Sequence, residues 1–177
     1  MATWKKILME GDSAAGGGVL PDSFTKLLIH SDTDDGSTTF TDSSPSEHTL
    51  TIAGGVHHED TKNRFGKTSI QFDGDEDYIT LPSSTDWAYG TGDFTNDYWV
   101  YVTNAIDQNL TIMDQWPTAN AFQLWLESDL DMVLYYRDGG SSVSLIPYQS
   151  RLVLNTWTHI AIVRHSDIIT LYINNTY

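Results

Sequence analysis

The chain has 177 residues, of which 40% are hydrophobic and 12% aromatic, so it can bury the core of one ordinary globular domain. Its 24 acidic and 9 basic residues give a formal net charge of −15. A field of that sign repels phosphate backbones and anionic lipid, so neither nucleic acid nor membrane is a predicted partner. The absence of cysteine excludes a disulfide framework and a thiolate metal site.

The first 25 residues, MATWKKILMEGDSAAGGGVLPDSFT, contain one short apolar piece followed by a Gly/Ala/Ser stretch. The apolar run after the two lysines covers only Ile7–Met9, which is too short for a signal peptide. The three glycines at 16–18 cannot hold regular structure cheaply. We therefore predict an N-terminal arm and flexible linker over residues 1–25, in a protein made in the cytoplasm without a secretion signal.

From residue 26 onward, short β-like runs alternate with clusters of Gly, Asp, Asn and Ser. No stretch sustains the period of an amphipathic helix. The predicted strands, in chain order, are 26–30, 49–52, 68–73, 77–81, 93–102, 110–114, 121–127, 131–137, 142–146, 151–154, 157–164 and 168–173. Many short strands separated by turn signals are typical of a sandwich or barrel, so the predicted class is all-β. Trp99 and Trp157 are the large residues that we expect in or beside the core.

Four segments together carry a resemblance to a known family: KLLIHSDTDDGSTTFTDSS (26–44), RFGKTSIQFDGDEDYITLP (64–82), DWAYGTGDFTNDYWVYV (86–102) and NTWTHIAIVRHSDIITLYINN (155–175). Their order and spacing resemble the concanavalin A-like, laminin-G-like jelly rolls, in particular those of tailed bacteriophage structural proteins. The opening MATWKKI also resembles the start of many phage virion proteins. The resemblance implies a two-sheet antiparallel jelly-roll β-sandwich over residues 26–177, used for adhesion or glycan contact and usually without catalysis.

The acidic stretch LWLESDLDMVLYY (124–136) tests that expectation, because Glu127, Asp129 and Asp131 are spaced two residues apart. On one continuous strand the three carboxylates would share a face, as the catalytic acids of jelly-roll glucanases do. The family resemblance instead places a hairpin here, and Asp and Ser favour turns. A turn at 127–130 sends Glu127 and Asp131 onto opposing strands. We therefore predict no catalytic residues and no enzyme activity.

Two loops concentrate carboxylates and could supply the oxygen ligands of a structural calcium ion. The loops SDTDDGS (31–37) and FDGDEDY (72–78) give the predicted ligands Asp32, Asp34, Asp35, Asp73, Asp75 and Asp77. The alternative is that these aspartates form turns and cap backbone groups. No cofactor is required by either interpretation. A zinc site at His57 and His58 is not favoured, because neighbours on an extended chain point to opposite faces.

Glycan contact needs aromatic rings with polar neighbours on loops, since ring faces stack on the apolar faces of sugars. Trp116, Asn120 and Tyr148 are the predicted carbohydrate-binding residues. Trp87 and Tyr89 have a similar setting, but the family resemblance makes the Trp87 segment a structural connection.

In related jelly rolls the strand that matches LYINN is followed by further strands, the last of which lies beside the first. The sequence stops at Tyr177, so those closing strands are missing from it. The edge at Leu27–His30 would then be unpaired, and exposed edges recruit other strands. We predict that the arm, with assembly residues Trp4, Ile7 and Leu8, or a neighbouring protein covers this edge, and that the isolated chain is oligomeric or aggregation-prone. The alternative is a fragment of a longer protein whose own C terminus closes the sheet.

The predicted function is a non-enzymatic structural or adhesive component of a bacteriophage virion, such as a decoration, fibre or tail-associated protein. Its partners would be other virion proteins, copies of itself, and a glycan on the host surface. A bacterial carbohydrate-binding module is the alternative, and a jelly-roll glycoside hydrolase is a less favoured one.

Overall fold

The computed structural model describes residues 5–9, 21–104, 109–115, 121–138, 141–145 and 152–174. Thirteen strands lie in these ranges: β1 (Lys5–Met9), β2 (Thr25–Ile29), β3 (Thr51–Ala53), β4 (His57–Glu59), β5 (Ser69–Gln71), β6 (Tyr78–Thr80), β7 (Phe94–Tyr101), β8 (Leu110–Asp114), β9 (Phe122–Leu126), β10 (Met132–Asp138), β11 (Ser141–Leu145), β12 (Trp157–His165) and β13 (Ile168–Ile173). The helical structure in the described ranges is limited to a 3₁₀ turn at Thr85–Trp87. No helix there is long and apolar enough to cross a membrane. The predicted all-β class is confirmed.

Two main sheets and two short ribbons account for the strands. The larger sheet has the order β13-β12-β7-β1-β2, and the second sheet has the order β11-β10-β9-β8. The ribbons pair β3 with β6 and β4 with β5. Neighbours within the second sheet are antiparallel, as are β7, β12 and β13 in the larger sheet.

The core lies between the two main sheets, because one face of each is apolar. Residues at alternate positions of β7 and β9 are buried, as expected for strands with one face against a core. The larger sheet contributes Phe94, Tyr98, Ile160 and Ile162, and the second sheet contributes Phe122, Leu124, Leu126, Met132 and Leu134. Each such side chain stabilises the fold by roughly 1.5–3 kcal/mol on burial. The predicted two-sheet β-sandwich is therefore the observed architecture.

Strand β1 lies in the middle of the larger sheet, between β7 and β2. It runs parallel to both neighbours, with Leu8 opposite Leu28 on one side and Asp97 on the other. The edge predicted around Leu27–His30 is therefore paired with the N-terminal arm. The arm was one of the two partners that the sequence analysis predicted for this edge. Trp4 lies outside the described residues. Whether the arm also mediates assembly stays a prediction.

One predicted strand is absent from the described residues, and one observed strand was not predicted. Residues 152–154 do not form a strand; Leu152 is buried and its N–H donates to the carbonyl of Leu130, 3.0 Å away. The apolar residues of this segment cover the core from a loop. A short apolar run in the sequence does not distinguish such a loop from a strand. Strand β4 was not predicted, because HHE has no apolar alternation; its buried member is His58.

Candidate functional site

The acidic stretch at 127–131 is a tight reversal between β9 and β10. The Leu130 N–H donates to the Glu127 carbonyl at 2.8 Å, and the Glu127 N–H donates to the Asp131 carbonyl at 2.9 Å. The backbone φ angle of Leu130 is 69°, a left-handed value that is rare for leucine and typical of a turn. The side chain of Asp129 accepts the N–H of Asp131 at 3.1 Å. Glu127 and Asp131 therefore precede and follow a turn, and the interpretation as a turn is confirmed.

The first predicted calcium loop uses its carboxylates to hold other segments in place. Asp32 accepts the N–H of Lys67 at 2.8 Å, and Asp35 accepts the N–H of Asp60 at 3.2 Å. These bonds tie the loop at 31–37 to the segment at 60–67.

The second loop is organised around Asp77. Its carboxylate accepts the N–H groups of Asp73, at 2.7 Å, and of Gly55. The bond from the Asp73 backbone, aided by the one from Gly55, lowers the pKa of Asp77 against the opposing effect of burial. Gly54 has φ 72°, and a Cβ there would collide with the Asp77 carboxylate, so both conformation and space require glycine. Asp73 in turn accepts the Asp75 N–H at 2.8 Å.

The sequence analysis missed a cluster of three carboxylates, which is formed by Asp35, Glu59 and Asp60. One ligand oxygen of each lies within 4.8 Å of the others. A hydrogen bond from Thr61 lowers the pKa of Glu59. Of the six predicted calcium ligands, only Asp35 belongs to this cluster. Its other members are Glu59, at the end of β4, and Asp60, the next residue. The calcium hypothesis stays a prediction.

The two adjacent histidines of β4 point to opposite sides, as expected for neighbours on a strand. His57 contacts Glu59 at 3.9 Å on the accessible side. His58 is 1% exposed; its Nδ1 lies 2.6 Å from Ser31 Oγ and its Nε2 lies 3.0 Å from the Thr39 carbonyl. Ser31 also bonds Thr68 at 3.1 Å. This buried network fixes the ring and connects β4 to the segments that carry Ser31, Thr39 and Thr68, which is a structural role.

A shallow groove of about 410 Å³ runs along residues 40–50. Two of its polar side chains already hold the chain in place. Asp42 accepts four hydrogen bonds from Leu28, Ser44 and His48, and His48 Nε2 lies 3.0 Å from Asp86. The groove therefore results from the folding of this loop.

The predicted glycan residues Trp116, Asn120 and Tyr148 lie outside the described residues. Trp87 is packed: its Nε1 donates to the Pro82 carbonyl at 2.9 Å, and its ring lies 4.6 Å from that of His48. Tyr89 is buried in the core cluster.

The outer face of the larger sheet carries a group of rings that includes Trp99 and Trp157, which the sequence analysis expected in or beside the core. Phe94, Asn96 and Tyr98 face inward, so Trp99 projects outward. Trp99 pairs with His159 across the strands, and Tyr101 pairs with Trp157. Adjacent to them is Phe65, whose ring lies 5.7 Å from that of Trp99. We call the five rings the aromatic platform: Phe65, Trp99, Tyr101, Trp157 and His159.

Comparison with known protein families identifies the superfamily of the chain. A sequence profile described as the concanavalin A-like lectin/glucanases superfamily matches residues 73–177. A solved structure of an S-layer domain-containing protein from Clostridium thermocellum is similar, with a TM-score of 0.45 and 23% identity over 85% of this chain and 72% of that one. No curated protein sequence matches the chain. Because the profile covers more than half of the residues, the chain belongs to the concanavalin A-like lectin/glucanases superfamily.

Proposed function

We propose that the chain is a non-catalytic adhesive or structural β-sandwich module. The observation that carries this proposal is the turn at 127–131. A retaining glycosidase of this superfamily needs two carboxyl groups held about 5–5.5 Å apart beside a substrate cleft. Here the three acids belong to a hairpin reversal, and Asp129 is exposed and bonds the turn backbone.

The particle that would carry the module is a bacteriophage virion, where it would serve as a decoration, fibre or tail-associated protein. This part of the proposal is supported by the resemblance of the four sequence segments and of the opening MATWKKI to phage structural proteins. Its partners would be other virion proteins or further copies, and a host-surface glycan. A bacterial carbohydrate-binding module is the second candidate, favoured by the outward-facing rings of the larger sheet.

Incubation of the purified chain with soluble β-glucans, followed by measurement of reducing ends, tests the absence of catalysis. We expect no release above buffer, and Glu127→Gln and Asp131→Asn should behave as the parent does. Release that both variants abolish would establish a hydrolase. Asp34→Asn, which removes an exposed charge far along the chain from the turn, is the matched control.

A further inference from the structure

We propose that β1 is an exchangeable strand, and that the slot between β7 and β2 accepts residues 5–9 of a second copy of the chain in place of its own. The slot is the space that β1 occupies in the larger sheet. The inference rests on the proposed structural role and deepens it, because it names the surface and the partner through which copies of the module are linked.

The backbone register defines what the slot recognises. Strand β1 pairs with β7 along its whole length, from Lys5 to Met9, and with β2 from Lys6 to Met9. Both hydrogen-bonding edges of the strand are therefore used. Recognition of an extended segment by main-chain bonds on both sides does not depend on which chain supplies the segment, so residues 5–9 of another copy make the same bonds.

Both walls of the slot are held by contacts that do not involve β1. On one side, β7 pairs with β12 from Phe94 to Tyr101. On the other side, the Leu28 N–H of β2 donates to Asp42 Oδ1 at 2.9 Å, and its carbonyl accepts the Ser43 N–H at 2.7 Å. Each wall is thus held from its far side, and one strand can replace another while these contacts are kept.

The connection from β1 to β2 is longer than its own slot requires. Parallel neighbours cannot be joined by a tight hairpin and need a crossover. A turn before β2 is fixed by Asp22, which accepts the N–H groups of Phe24 and Thr25 at 2.9 Å. Residues 10–20 remain, with a contour length of about 36 Å. The return along β1 needs about 16 Å, so the connection is long enough to reach the slot of an adjacent copy.

Concentration decides between the two arrangements. Because β1 is the first of the described strands, its exchange leaves the pairing of the others unchanged. Exchange of an identical element between copies is a low-cost route to association, since the contacts are those of the monomer. A short flexible linker gives its own strand an effective concentration on the order of 1 mM. We therefore expect the chain's own strand in dilute solution and a neighbour's strand where copies are crowded together in an assembly.

Charge favours a contact through the strand over a contact between the bodies of two copies. Lys5 and Lys6 give β1 two of the chain's 9 basic residues, and β1 has no acidic residue. The chain as a whole carries a net charge of −15, so two copies repel each other while the cationic strand is attracted to either one. This asymmetry identifies the arm of a second copy as the occupant.

The test is disulfide trapping between full-length chains, which contain no cysteine of their own. Lys6 and Thr95 are register partners across β1 and β7. Neighbouring strands lie about 4.8 Å apart, within the Cα separation that a disulfide needs. Lys6→Cys and Thr95→Cys, on chains with different isotope labels, are mixed at about 1 mM in a glutathione redox buffer with about 0.15 M salt. Mass spectrometry then measures the disulfide-linked mixed dimer.

Ile168→Cys is the matched control. Ile168 is 68% exposed on β13, and β12 and β7 separate it from β1, so it reports random collision. We expect Lys6→Cys to form mixed dimers with Thr95→Cys on the order of tenfold more than with Ile168→Cys, in a yield that rises with concentration.

A double variant on one chain gives the second measurement. Oxidation of Lys6→Cys/Thr95→Cys in dilute solution ties the strand to its own slot. By sedimentation velocity at about 1 mM, the oxidised form should stay monomeric while the reduced form contains dimer.

Equal yields with Thr95→Cys and with Ile168→Cys would overturn the inference. Equal dimer fractions in the oxidised and reduced double variant would overturn it too, because the strand would then take no part in association. Should one of these variants not fold, Leu8→Cys with Asp97→Cys, which are also register partners, gives the same comparison. Neither glucan turnover nor presence on a particle enters the test, so this inference and the proposed function can fail separately.

Discussion

Asp42 shows how much of the sandwich depends on a single buried carboxylate. It is 3% exposed and accepts the N–H of Leu28 on the edge strand β2, the N–H and hydroxyl of Ser44, and the N–H of His48, all at 2.8–2.9 Å. With four donors the charge is fully compensated, which is the condition for burying it. Asp42 therefore binds the loop at 42–48 to β2 at the edge of the larger sheet.

Asp42→Asn should destabilise the protein by about 2–4 kcal/mol, because the amide nitrogen cannot accept two of these bonds and leaves buried donors without partners. Urea unfolding of parent and variant measures the difference. Asp34→Asn, at an exposed position, is the control and should change stability little. Equal midpoints for Asp42→Asn and the parent would contradict the role given to Asp42.

Tyr89 makes a pH-dependent contribution to stability. Its hydroxyl donates to Asn96 Oδ1 at 3.1 Å, and burial raises its pKa to about 12 from 10.0. Because the folded pKa is the higher one, the contribution is complete below pH 10 and is lost as pH rises toward 12. The loss should amount to about 2–3 kcal/mol.

Unfolding curves between pH 9 and about 11.5 check this expectation. Tyr89→Phe should lose stability less steeply across that window than the parent, although buried Tyr98, whose pKa is also raised by burial, leaves part of the slope. Tyr78→Phe, at a side chain that is 54% exposed, should keep the parental slope. A parental slope in Tyr89→Phe would rule out Tyr89 as its source.

At the scale of elements, the hairpin at 127–131 was predictable because turn chemistry and family resemblance agreed. The long runs at β7, β9, β10, β12 and β13 were predictable too, since alternation marks a strand with one buried face. Strand β4 was not, because its buried position is His58, a polar residue whose partners Ser31 and Thr39 are distant in sequence. The aromatic platform was missed for a related reason: a tryptophan on an apolar strand does not show which face it occupies.

The two acidic loops should keep their form without an ion. Asp32, Asp35, Asp73 and Asp77 already accept backbone N–H groups. If these aspartates only form turns and cap backbone groups, the melting temperature in EDTA should equal that in millimolar calcium. A rise in calcium that is lost in Asp35→Asn, but kept in Asp129→Asn, would instead support the predicted structural ion, since a ligand of the folded state stabilises it by mass action.

For the molecule as a whole, the central position of β1 matters most. It provides the hydrogen-bonding partner on both sides, for β7 and for β2, and without it the larger sheet would divide into two parts. The sequence pointed to an arm strand beside β2, but insertion between two strands and the parallel direction depend on distant partners that local patterns do not contain.

Leu8→Pro should destabilise the fold by about 3 kcal/mol or more, because proline in a central strand removes a ladder hydrogen bond and clashes with its neighbours. Ala14→Pro, in the predicted linker, should have little effect. Thermal melting and sedimentation velocity check both variants, and deletion of residues 1–22 should leave a chain that aggregates. A soluble monomer with parental melting after that deletion would contradict the role of β1.

Residue-resolution electron cryomicroscopy of virus particles from cells that produce the chain tests the central proposal most directly. The proposal predicts repeated copies of the sandwich on the particle, each with β1 between β7 and β2 and with the turn at 127–131 remote from any substrate. Particles that lack the chain, while it is recovered as a separate protein that binds or cleaves glycans, would contradict it.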